Sequence, residues 1–131
     1  MTDLEMARLC AEALGMLEFH YYPRGAYPDQ HGSYEVIGDR IYRLHGNPHG
    51  GYNRYHYDPR RDDAQAMALV KRFQLTVQWI DYCSEGWPEK GWECFGDPGI
   101  RTRTDDLNKS VVECVAKMQK AKQGTVPPTV T

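Results

Sequence analysis

Hydrophobic positions recur at helical spacing in three stretches of the chain and alternate with polar ones in several others. Leu4, Ala7, Ala11 and Leu14, flanked by Met6, Cys10 and Ala13, mark the first helix. Thr2 and Glu5 frame its start as a capping box, the Thr2 hydroxyl accepting from the Glu5 backbone N–H, and Gly15 supplies a left-handed stop. A second helix opens behind Asp58-Pro59, with Asp58 or Asp62 as its cap, and runs to Phe73. Ala64, Met67, Ala68 and Lys71 share one of its faces, and Met67, Val70 and Phe73 make the greasier edge. The third follows Thr104-Asp105-Asp106, with Leu107, Val111, Val115 and Met118 as its stripe and Cys114 and Ala121 alongside. Lys117, Lys120 and Lys122 suit the negative end of its dipole.

Alternation over Met16–Tyr22 predicts a strand with Leu17, Phe19 and Tyr21 on one face, ended by Pro23. Tyr34–Ile37 and Arg40–Leu44 form a hairpin through Gly38-Asp39, where glycine tolerates a positive φ. Leu75–Tyr82 is the clearest strand, and Trp92–Phe95 returns beside it before the Gly96–Gly99 turn. The order α-β-β-β-α-β-β-α predicts an α+β fold: a largely antiparallel sheet of about five strands, with three helices packed on its two faces as an α-β-α sandwich. Residues 1–123 form the single domain and 124–131 a frayed tail.

Composition agrees with one folded unit: 40% hydrophobic and 26% charged residues exclude wholesale disorder. No apolar run is long enough to span a bilayer, and the first residues lack the basic start and apolar block of a signal peptide, so a cytoplasmic location is expected. Cys10, Cys83, Cys94 and Cys114 contain no C-x-x-C pair and read as free thiols, with a Cys83–Cys94 bridge as the alternative.

The net charge of −2 is unevenly spread: six Arg, no Lys and four acids lie between Phe19 and Arg61. That segment is mildly basic on an acidic body, too weakly so for a duplex-binding surface. It also holds every His and eight of the nine Tyr. Arg clamps phosphate bidentately, Tyr and Arg stack on bases, and Gly46, Gly50 and Gly51 would let backbone N–H groups approach an anion. Tyr21, Tyr34 and Tyr42 are read as sheet-building. The expected ligand-binding residues are Arg43, His45, His49, Tyr52, Arg54, Tyr55, His56, Tyr57 and Arg61.

Three segments together resemble another group of proteins. They are Thr2-Asp3-Leu4-Glu5-Met6 through Leu9-Cys10-Ala11-Glu12-Ala13, Tyr57-Asp58-Pro59 through Asp62-Asp63-Ala64-Gln65-Ala66-Met67-Ala68-Leu69-Val70-Lys71, and Glu113-Cys114-Val115-Ala116-Lys117-Met118-Gln119. This pattern is similar to that of small bacteriophage and prophage proteins with a phage ABA (α-β-α) sandwich domain. The resemblance implies an accessory protein acting inside a bacterial host, in a context where such proteins counter host defences, some by sequestering nucleotide immune signals. It carries no catalytic residue with it.

Other chemistries are weaker. His45-x-x-x-His49 has zinc-ligand spacing, but Gly46 and Pro48 break any helix that would bring the rings together, so no metal and no cofactor are expected. His31, His45, His49 or His56 with Asp29, Asp39 or Asp58 could form an acid–base pair, yet no nucleophile or phosphodiesterase signature accompanies them. Asp62-Asp63 and Asp105-Asp106 are explained by helix capping. The leading expectation is a non-enzymatic binder that sequesters a small anionic, nucleotide-like ligand, homo-oligomerisation being open. The alternatives are a protein-binding inhibitor of a host defence enzyme, docking through Trp87, Trp92 and the Tyr52–Tyr57 strand, and a small His-dependent hydrolase.

Overall fold

The computed structural model describes residues 1–19, 33–46, 52–81, 90–97 and 99–124. Helix α1 spans Asp3–Ala13, starting where the Thr2 hydroxyl accepts from the Glu5 N–H at 3.1 Å. Strands β1 (Leu17–Glu18), β2 (Ser33–Ile37), β3 (Arg40–Gly46) and β4 (Tyr52–His56) follow in one sheet, in the order β1-β2-β3-β4. The β2–β3 turn is at Gly38, whose φ of 64° a side chain would resist. Helix α2 (Asp63–Phe73) is capped by Asp62, which accepts from the Gln65 N–H at 3.0 Å. Strands β5 (Thr76–Ile80), β6 (Gly91–Gly96) and β7 (Ile100–Thr104) make a second, antiparallel sheet, and α3 (Leu107–Gly124) closes the fold.

The α+β class holds, but the single five-stranded sheet does not: four strands pair in one sheet and three in another. β7 was not expected, because Ile100 is its one large apolar residue and Arg101 and Arg103 alternate with threonines. Of the predicted Met16–Tyr22 strand, Leu17–Glu18 pairs in parallel with β2 and the Phe19 N–H donates to the Tyr34 carbonyl at 2.7 Å; Leu17 is exposed, and residues 20–22 lie outside the described residues.

The layering also differs from a sheet flanked by helices. Tyr34 of β2 donates to Glu12 of α1 at 2.8 Å, and Cys10 of α1 reaches the Val112 carbonyl of α3 at 3.6 Å. On its other side, α3 receives Thr102 of β7 at the Ser110 carbonyl, 2.7 Å. Helices α1 and α3 therefore stand between the two sheets. Ser110 and Cys114 lie half a helical turn from Val112 and Ala116, and all four are buried. A helix buried on two sides needs apolar residues on both, which Val111-Val112 and Cys114-Val115-Ala116 supply. Helix α2 packs beside α3, with Asn108 donating to Asp63 at 2.7 Å. Its buried residues are Ala66 and Leu69 with Val70 and Phe73 partly covered, whereas Ala64 and Ala68 face solvent.

A buried ion pair marks the face of the second sheet turned away from α3. Arg103 donates to Glu93 at 2.8 Å, with both side chains almost wholly covered, and Gln78 donates to the same carboxylate at 3.3 Å. Cys10, Cys94 and Cys114 are buried free thiols in the core, so Cys94 forms no bridge; Cys83 lies outside the described residues.

Candidate functional site

Strand alternation sorts the expected ligand residues onto two faces of the first sheet. Tyr34, Arg43 and Tyr55 are direct cross-strand neighbours, and Ile41 and His45 project to the same side. This is the inner face: Tyr34 and Ile41 are covered by the core, whereas His45 and Tyr55 reach solvent. Ser33, Glu35, Tyr42, Leu44, Arg54 and His56 occupy the outer face.

On the outer face the polar groups satisfy one another. Arg54 donates from Nε to Glu35 at 3.1 Å, and the His56 ring lies 5.7 Å from that of Tyr42. These contacts are ordinary sheet-surface pairs.

The inner face is different where it passes from core to solvent. Arg43 is half-buried and its Nε is fully covered without a hydrogen-bond partner. Tyr57, which continues β4 by donating its N–H to the Ile41 carbonyl at 2.8 Å, is only 4% exposed, and its hydroxyl is also covered and unpartnered. Burial pushes the Tyr57 hydroxyl pKa up, the neighbouring Cys10 thiol adds to this, and the Arg43 charge opposes it. The guanidinium and the phenol are thus close enough to feel each other without bonding. Each unmade hydrogen bond costs about 1–3 kcal/mol, and such groups call for a reason. Tyr55, 52% exposed, stands over this spot with the His45 ring edge-on at 5.3 Å.

Arg8 lies on the core side of the same face. It donates from Nε to the Tyr34 hydroxyl at 3.1 Å and from its terminal nitrogen to Glu18 at 2.6 Å. Burial pushes the Tyr34 hydroxyl up to about 12 against the pull of Arg8, so it stays a neutral donor. Sequence reading missed Arg8, whose helical position gives no sign of a partner on β2.

Arg61 does not join this group. It pairs with Asp58 at 3.7 Å on an open cleft of about 840 Å³ that touches Tyr57 from the far side and also includes Arg40, His56, Arg60, Asp3, Asp39 and Asp62. Arg60 pairs with Asp3, and four aspartates against three arginines make this larger cleft a poor place for an anion. His49 lies outside the described residues, as does the Tyr52 side chain. Among the described residues no three His, Cys, Asp or Glu side chains converge on a metal position, and no helix is long and apolar enough to cross a membrane.

No family model matches this chain, and no similar curated protein or solved structure was found.

Proposed function

We propose that the protein binds, without turning it over, a small anionic, nucleotide-like ligand on the open end of the first sheet's inner face. The observation that carries this reading is the pair of covered, unpartnered donors, Arg43 Nε and the Tyr57 hydroxyl, beside exposed Tyr55. An oxygen of a phosphate or related anion would accept from Arg43, and a charge-assisted bond of that kind is about twice as strong as a neutral one. A base would stack on the Tyr55 ring, a contact of about 1–3 kcal/mol. His45 braces that ring edge-on. The resemblance to phage accessory proteins frames the role as sequestration of a host immune signal in the bacterial cytoplasm, by tight holding rather than chemistry.

Calorimetry with a panel of cyclic dinucleotides and ADP-ribose derivatives tests the reading. A stoichiometric heat is expected from at least one, with Arg43→Met and Tyr55→Ala each weakening it about ten-fold or more. Absence of heat across the panel, or binding indifferent to both substitutions, would overturn it.

A further inference from the structure

The outer edge of the second sheet has properties that the ligand reading leaves unused. Strand β5 pairs with β6 on one side only, and among the described residues no strand lies along its other side. An open edge presents a row of backbone donors and acceptors, and proteins normally guard such edges with charges, proline or a bulge. The other edges are guarded: β4 carries Arg54, β7 carries exposed Arg101, and β1 is two residues long. Thr76-Val77-Gln78-Trp79-Ile80 carries no charge and no proline. Thr76, Gln78 and Trp79 are exposed, Trp79 by 49%, with its ring resting edge-on against Trp92 at 5.5 Å.

We infer that β5 pairs antiparallel with β5 of a second copy of this chain, about a two-fold axis at Gln78, to make one continuous six-stranded sheet. That register overlaps all five residues. It sets Thr76 opposite the second copy's Ile80 and Trp79 opposite its half-buried Val77, so both exposed indoles gain an apolar neighbour. No like charges face each other within the strands. Beyond them, exposed Asp81 of each copy comes to the end of the strand where the other copy's α2 finishes in Lys71 and Arg72, which supplies opposite charge. A self-complementary, two-fold strand is what an isologous interface requires. The edge is short against the roughly 1,600 Å² of a standard interface, so association falls in the micromolar range.

Sedimentation velocity from low to several hundred micromolar should show the 15.1 kDa chain moving towards twice that mass. In a Cys83→Ser background, Gln78→Cys places one thiol against its own copy across the axis. Treatment with diamide should link it about ten-fold faster than Thr76→Cys, whose neighbour is Ile80. Trp79→Lys should abolish the concentration dependence while the circular dichroism spectrum is unchanged. A monomer at every concentration overturns the inference, as does a dimer in which Gln78→Cys links no faster than Thr76→Cys. A monomer whose β5 edge is instead protected from hydrogen exchange by a different bound protein also overturns it.

Discussion

Two covered groups without partners, Arg43 Nε and the Tyr57 hydroxyl, lie at the boundary of core and solvent. In the free protein an orphaned hydroxyl is a cost, so removing it should help stability and harm only binding. Tyr57→Phe is expected to raise stability by up to about 1 kcal/mol in denaturant unfolding, while weakening the ligand heat. A tyrosine whose hydroxyl is bonded in the free protein would lose stability instead. Glu93 makes a different residue-scale case. Burial alone would raise its pKa, but hydrogen bonds from Arg103 and Gln78, helped by the nearby Arg101 charge, hold it below its ordinary 4.5. A carboxylate depressed in the folded state stabilises above its unfolded value, and that contribution fades as pH falls through the lower folded one. Thermal melts should therefore decline on the acid side of about pH 4.5. Arg103→Met should cost about 3–5 kcal/mol by leaving Glu93 buried and less compensated, and should flatten that acid decline.

At the scale of elements, the helix starts are local chemistry. Thr2 and Asp62 cap as their spacing requires, and the Lys109 N–H donates to Asp106 at 2.9 Å. The end of α2 is less comfortable: Gln74 sits at φ 52°, the one non-glycine left-handed residue among those described. Gln74→Gly is expected to raise the unfolding free energy by about 0.5–1 kcal/mol, read from the denaturation midpoint. Local signals of this kind made α1, the β2–β3 hairpin and the β5–β6 pair legible in the sequence. β7 was hidden because Arg103 is buried by its bond to Glu93 across the sheet, and no alternation rule assigns an arginine to a buried site. The candidate site was half legible. Its residue types stand out, but only the β3–β4 register places Arg43 beside Tyr55 and turns Arg54 and His56 to the opposite face.

For the molecule as a whole, the decisive feature is the pair of helices held between two sheets. The sequence marks this in Val111-Val112 and Cys114-Val115-Ala116, five apolar residues in six positions, too many for a helix covered on one side. The stripe of Leu107, Val111, Val115 and Met118, taken without Val112 and Ala116, points instead to a helix on an outer face. The buried thiols test the layering, since Cys10, Cys94 and Cys114 have no exposed surface. Burial foremost holds Cys10 in its protonated, unreactive form. Under native conditions iodoacetamide should leave all three unmodified by peptide mass, and labelling should begin together at the global unfolding transition.

Helix α3 follows both sheets in the chain, and it covers the inner side of one of them and props the helix that covers the other. During synthesis, then, both described sheets and helices α1 and α2 leave the ribosome before the element they pack around. The second sheet cannot bury its apolar side, nor α1 its back, until the Ser110–Ala116 turns of α3 have been made, so the chain gains much of its stability late rather than strand by strand. A nascent chain stalled before Val111 should remain protease-sensitive throughout, and release of the next dozen or so residues should protect both sheets at once.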